Sequence, residues 1–358
     1  MNILIIKTSA IGDVTHTMPA LNAIRNKYPD ATIHWLVEEA ASEIIKGHKA
    51  IDRVIVSKRK SWIKNFKNKN FLQTIKEIRY FIKDFRSIEY DLLIDFQSLL
   101  KSGLFVALAK AKRKVGFGRG MEHSEYSYIF LNERIMPIDM NIHALKRDLI
   151  LIEKIGIPHD KIEFNFPINE SDNKNIDQLL KQNNVDFSKP MCCVNPMTKW
   201  KTKLWQNDKF AIVADKLINE GNTIVFTGSK EDIDDINEIM SFMKNNSINL
   251  AGKTTLKELA SLYKKSSLLI STDTGPMHIS AAVFTPVIAI FGPTSPWRTG
   301  PYGNIHKVVR LDMPCSPCLK KQCNTIDCMN NISPDQIFNE AMKILVNIKS
   351  NNKIELKI

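Results

Sequence analysis

The sequence predicts an α/β fold built from two doubly wound domains in tandem. Three observations carry that reading. Short apolar runs rich in β-branched residues alternate with helical patterns, as in a parallel sheet covered by helices on both faces. The alternation loosens in one polar, proline-containing stretch and then restarts. A chain of 358 residues is also longer than one core of ordinary size.

In the first half the strands are NILIIK, TIHWLVEE, RVIVS and YDLLIDF, with helices over ALNAIRNKY and FLQTIKEIRYFIKDF. They make a first domain over residues 1–165. Residues 166–190, polar and with one helical segment, read as a linker. The second domain, 191–358, begins with MCCVN, a helix near NDKFAIVADKLINE, NTIVFTG and a helix after Glu231. It continues through INLAG, TLKELASLYKKS, SLLIST, a short helix from Pro276, PVIAIFG and a last helix near PDQIFNEAMKILVNI. Doubly wound sheets bind ligands beyond the carboxyl ends of their strands. Two facing domains would enclose a cleft there.

Apolar residues make up 44% of the chain and charged residues 25%, the balance of a soluble globular protein. The longest apolar candidate, AAVFTPVIAIFG, is shorter than the roughly 20 residues that span a bilayer. The first residues lack the features of a signal peptide, and a cytoplasmic protein is expected. The net charge of +12 favours acidic partners such as nucleic acid, anionic lipid or phosphorylated substrates; a generally lysine-rich composition is the plainer cause. Of six cysteines, Cys192 and Cys193 fall in a strand. Cys315, Cys318, Cys323 and Cys328 form C-x2-C-x4-C-x4-C, a spacing that could hold a structural metal or be a loop of reduced thiols.

Four strand ends carry candidate chemistry. In STDTGPMH (271–278), Pro276 suits the first turn of a helix whose free N–H groups would receive an anion. NPMTKWKTKLW (195–205) offers Thr198 with Lys199, Lys201 and Lys203, donors that suit a departing diphosphate and equally suit a basic surface loop. FTGSKED (226–232) presents carboxylates that could meet a ribose or complement a helix dipole. KTSAIGDVTHTMP (7–19) has one glycine where a dinucleotide cradle needs more. That leaves Asp13 as a general base or as a helix cap.

Together KTSAIGDVTHTMPAL, LVEEA, IDFQSLLKSGL, STDTGPMHISAA and FGPTSPWRTGPYG resemble the lipopolysaccharide heptosyltransferases of glycosyltransferase family 9. LVEEA leans toward heptosyltransferase I; the four-cysteine segment is similar to one near heptosyltransferase II. The resemblance implies a GT-B architecture, an ADP-heptose donor held mainly on the second domain, and an inverting transfer to the Kdo inner core. Asp13 matches the family's catalytic base and Lys203 its diphosphate-binding lysine, with Lys7 beside the acceptor. Thr198, Asp273, Thr274, Gly275, Met277 and His278 match donor-binding positions. Thr254 falls near the adenine pocket, and Glu231 is the ribose carboxylate. An acceptor-binding arginine of the family has no counterpart near HSEYSYI (123–129). No cofactor and no catalytic metal are expected.

From Lys58 to Arg86 there are ten Lys/Arg against two acidic residues, with six aromatics interleaved. Such a mixture suits a lipid headgroup surface and would also attract RNA. Arg59, Lys60 and Lys64 are the expected contacts to Kdo-lipid A. The expected protein is a monomer, peripheral on the inner face of the cytoplasmic membrane, without a nucleic-acid partner. Two other classes fit parts of this pattern. A nucleotide-sugar epimerase of the same architecture would need no basic patch. A nucleic-acid-binding protein would not need paired strand-end sites.

Overall fold

The computed structural model describes residues 1–69, 71–121 and 125–355, the last seven as backbone alone. The chain divides into two compact units, Met1–Pro167 and Ile168–Ile358.

The first unit holds β1 (Asn2–Ile6), β2 (Thr32–Glu38), β3 (Arg53–Ser57), β4 (Glu89–Asp95), β5 (Lys110–Phe117) and β6 (Glu133–Ile135). The second holds β7 (Met191–Asn195), β8 (Thr223–Phe226), β9 (Ile248–Asn249), β10 (Leu268–Thr272), β11 (Val287–Ile290) and β12 (Lys307–Val309). The sheet orders are β3-β2-β1-β4-β5-β6 and β12-β11-β10-β7-β8-β9, with every pairing parallel. Renumbered within its own unit, the second order is the first read backwards. Each is the doubly wound order, whose switch point lies between β1 and β4 and between β7 and β10.

The central strands are continuous apolar runs because helices cover both faces: Ile3 to Ile6 and Leu268 to Ile270 are fully buried. Three strands lack that signal. Strand β5, KAKRKVGF, is exposed over its basic first half, where Lys112 pairs with Asp91 and Arg113 with Glu133. Strands β6 and β12 are three-residue edges.

Two helices differ from the sequence pattern in extent or place, and Arg59–Lys67, Leu100–Leu108 and Ala144–Glu153 are further helices it did not announce. The helix expected over ALNAIRNKY begins earlier, at Ile11, and carries Pro19 inside it. The helix Glu170–Gln182, within the expected linker, packs on the helix Leu256–Lys264. Asn175 bonds Glu258, Ser261 bonds Asn173, and Ile176 and Leu180 are buried, so it is part of the second unit.

Candidate active site

In the first unit, β1 and β4 run level, with Ile6 opposite Asp95, so the loops that leave them meet. Gln97 fastens the β1 loop. Its side-chain oxygen accepts from the Thr8 and Ser9 N–H groups at 2.9 and 3.0 Å and from the Thr8 hydroxyl. Below it Lys7 is buried; its ammonium donates to the Phe96 carbonyl at 2.9 Å and lies 3.7 Å from Asp148. Lys7 is thus turned into the unit and supports the loop from beneath. Burial pushes the Asp148 carboxyl up, opposed by Lys7 and by the Thr17 hydroxyl at 2.5 Å. Asp95 is likewise pushed up by burial, to about 6, against hydrogen bonds from Gln97, Ser102 and Ser98.

Asp13 occupies the third position of the helix Ile11–Lys27. Its Oδ2 accepts from the Ala10 N–H at 2.9 Å, so the capping role is real. The cap uses one carboxylate oxygen; among the described residues none donates to Oδ1.

Glu38, at the end of β2, is buried yet gathers three cations. Its Oε1 accepts from Arg59 Nε and Nη2 at 3.1 and 3.0 Å and lies 3.7 Å from Lys101 Nζ, and its Oε2 lies 3.5 Å from Lys60. The Lys101 ammonium also donates to the Ser9 hydroxyl, four residues ahead of Asp13. Burial lowers the Lys101 pKa, and Glu38 opposes this. One carboxylate against three cations leaves excess positive charge beside the Asp13 loop. Arg59 and Lys60 therefore belong to this cluster. Lys64 does not: it is exposed further along the same helix and makes no ion pair among the described residues. Lys101 and Glu38 were missed as site residues, though both lie in the quoted motifs IDFQSLLKSGL and LVEEA. A buried acid surrounded by bases has no signature in a linear sequence. In the HSEYSYI stretch, His123 and Ser124 lie outside the described residues.

In the second unit the loops after β7, β8, β9, β10 and β11 hold the other predicted residues. The Lys203 ammonium donates to Asp273 Oδ2 at 2.6 Å and lies 4.5 Å from the centre of the Trp200 ring. The Thr294 hydroxyl donates to the same Asp273 oxygen at 2.6 Å. Thr294 is a further candidate that the sequence motifs did not single out, though it lies inside FGPTSPW. Asp273 leads into the helix Gly275–Ala282, capped at Thr274 with Pro276 in its first turn. Thr274 and Gly275 are partly exposed there, whereas Met277 and His278 are buried. Thr198 is partly exposed and Lys199 exposed on the β7 loop.

After β8, Asp232 is committed to its own turn, accepting from the Ser229 N–H and hydroxyl at 2.7 and 2.8 Å. Glu231 remains exposed. Hydrogen bonds from Ser229 and from its own N–H hold its carboxyl below the usual range, helped by the charges of Lys199 and Lys230. Gly252 brings the β9 loop against this turn. Its φ of +69° suits glycine, and a Cβ would stand 2.6 Å from Lys230 Cγ. Its N–H donates to the Gly228 carbonyl at 2.9 Å. Thr254, two residues on, is partly exposed.

Cys192 and Cys193 lie fully buried in β7. The other four cysteines line one small cavity with Thr202 and Pro293, and the Thr202 hydroxyl donates to the Lys320 carbonyl, tying this segment to the Lys203 turn. Among the described residues no three His, Cys, Asp or Glu side chains are arranged to hold a metal ion.

Residues 78–328 match the profile of Glycosyltransferase family 9 (heptosyltransferase). The chain belongs to glycosyltransferase family 9. Among its family relatives, it is 29% identical over 326 residues to lipopolysaccharide heptosyltransferase 1 of Pseudomonas aeruginosa, covering 90% of this chain and 87% of that one. It is 27% identical over 357 residues to lipooligosaccharide heptosyltransferase 2 of Campylobacter jejuni, covering 97% and 99%. Among solved structures, Escherichia coli heptosyltransferase WaaC with ADP has the same fold, with a TM-score of 0.76 and 24% identity over 96% of this chain and all of that one. The family-9 chain thus has the two Rossmann-like domains expected of a GT-B architecture. Relatives of the first and second heptosyltransferase kinds are about equally similar.

Proposed function

We propose that this family-9 chain is an inverting transferase that moves heptose from ADP-heptose to the Kdo inner core of lipopolysaccharide, adding the first heptose. The observation that carries the acceptor reading is the Glu38 cluster. Arg59, Lys60 and Lys101 leave net positive charge beside Asp13, where an acidic sugar would be held. The Oδ1 atom of Asp13 takes the proton of the attacking hydroxyl while Oδ2 keeps the Ala10 N–H, so the base stays oriented throughout.

In the second unit Lys203 meets the charge that grows on the departing diphosphate, assisted by Thr198 and the N-terminus of the helix Gly275–Ala282. Asp273 and Thr294 position Lys203. Glu231 accepts from the ribose hydroxyls, with Thr254 beside the base. This mechanism assigns no step to a metal or cofactor. The acceptor is lipid-anchored, and no helix among the described residues is long and apolar enough to cross a membrane. The proposed enzyme works at the inner membrane face, as a monomer.

The test is incubation with ADP-heptose and Kdo-lipid A, followed by mass analysis of the lipid. A gain of one heptose is expected. Transfer only to an acceptor that already carries a heptose would assign the chain to the second kind, and no transfer to either would reject the reading.

A further inference from the structure

The basic stretch folds as two helices, Arg59–Lys67 and Phe71–Phe85. They divide its large apolar side chains into two sets. Trp62, Phe81 and Phe85 pack inward, Trp62 against Phe81 at 5.3 Å and Phe81 on Phe85 at 5.7 Å. Another set of large apolar side chains faces solvent: Leu72 is 86% exposed, Phe71 49%, Ile63 45% and Ile75 39%. This exposure is costly in water unless something covers it.

Charge indicates what covers it. At about 100° per residue, Phe71, Leu72, Ile75, Lys76 and Arg79 share one sector of the second helix of roughly 140°. Glu77 and Asp84, the only acids of the stretch, fall outside that sector, and Asp84 is already paired with Arg53. On the first helix the same arithmetic groups Ile63 with Lys60, Lys64 and Lys67. The exposed face is therefore apolar and cationic together. Its cations are mostly lysines, which suit a diffuse layer of phosphates better than bidentate reading of one group. Long lysine stems also let apolar neighbours sink while the ammonium stays at the headgroups.

We propose that Ile63, Phe71, Leu72 and Ile75 enter the headgroup region of an anionic phospholipid bilayer, with Lys64, Lys67 and Lys76 on its phosphates. The first helix, nine residues and about 13 Å long, starts at Arg59 and Lys60 in the Glu38 cluster. A lipid-anchored acceptor would then present its sugar close to the bilayer surface, at the cationic cluster. This part of the inference rests on the proposed function; the membrane contact itself does not.

The test is flotation of the full chain with vesicles of phosphatidylcholine alone or with phosphatidylglycerol added. Binding to the anionic vesicles is expected, weakened by salt. The pair Phe71→Ser and Leu72→Asp should lower it at least tenfold, and Lys67→Glu with Lys76→Glu similarly. Leu72, Lys67 and Lys76 are exposed and Phe71 keeps only a partial contact with Phe66, at 6.0 Å, so thermal melting should change little. With ADP-heptose, both variants should keep wild-type turnover on a deacylated, water-soluble acceptor and lose turnover on the lipid-anchored one. Wild-type-like flotation of the variants, no binding of the parent chain to anionic vesicles, or tighter binding to single-stranded RNA than to vesicles would each overturn the proposal. Absence of turnover by the parent chain on both acceptors would instead sink the functional reading and leave the flotation result standing.

Discussion

The two halves share one strand order and differ in how their strand ends handle charge. In the first unit the last paired residue of β4 is Asp95, opposite Ile6. In the second the corresponding position is Ser271, opposite Asn195. The exit of β2 carries Glu38 with three cations around it. The exit of β10 carries Asp273 with one cation, Lys203, and one hydroxyl, Thr294. One scaffold thus supports a buried acid ringed by three cations and a buried acid matched by one cation and one hydroxyl beside a helix N-terminus. The first suits a fixed anion; the second suits charge that appears only as a bond breaks. Fold therefore does not decide the chemistry of either half.

That contrast breaks most sharply at Asp13. Asparagine can cap the helix as aspartate does but cannot take a proton. Asp13→Asn should melt normally and bind ADP normally, while turnover falls about 10²- to 10⁴-fold. Near-normal turnover of the folded variant would reduce Asp13 to its cap.

On the donor side, Lys203→Ala should lower turnover about 10²- to 10³-fold and weaken ADP binding. Asp273→Asn removes the partner and keeps Lys203, so it should have a smaller effect on turnover. If Lys203→Ala leaves both quantities near wild type, the diphosphate contact passes to Lys199 or Lys201.

Within the first unit, Lys101→Ala should raise the acceptor KM about tenfold at low salt with ADP binding unchanged, since one close charge pair is worth about 1 kcal/mol or more when partly buried. Lys64→Ala should leave the KM for a water-soluble acceptor unchanged. Equal effects from the two would mean that diffuse positive charge, not the Glu38 cluster, attracts the acceptor.

The strands of both cores were legible because burial on both faces leaves uninterrupted apolar runs, as in Ile3 to Ile6. Strand β5 was not, because its basic half is satisfied by cross-strand ion pairs that no local pattern announces. Short motifs did fix where their candidates stand: Lys203 and Asp273 lie on strand-end loops and Asp13 in the first turn of the helix that follows β1, as their positions after apolar runs require. Lys101, Glu38 and Thr294 were not legible, because each acts through a partner distant in sequence. Lys7 shows the opposite error. Its place in the opening motif suggested acceptor contact, and the structure turns its ammonium inward to Phe96 and Asp148.

The smallest expected effect isolates the difference between Asp95 and Ser271. Burial raises the Asp95 carboxyl from 3.8 to about 6. Between those values the folded chain holds a proton that the unfolded chain has lost, so this residue makes stability fall as pH rises through that window. Above about 6 both states are ionised and its contribution is flat. Ser271 does not titrate, so its position in the second unit adds no such slope. The Asp95→Asn substitution would keep an acceptor for the Gln97 and Ser98 N–H groups. The new amide could donate to the Ser102 hydroxyl oxygen, whose one hydrogen would then turn from residue 95 to the Leu99 carbonyl, 2.7 Å away. Asp95→Asn should therefore match the parent chain near pH 4 and gain relative stability up to pH 6. The separation of the two pKa values caps that gain at about 3 kcal/mol. Parallel melting curves from pH 4 to 7 would show that Asp95 titrates as an ordinary carboxylate, and the contrast between the two strand ends would then be one of shape alone.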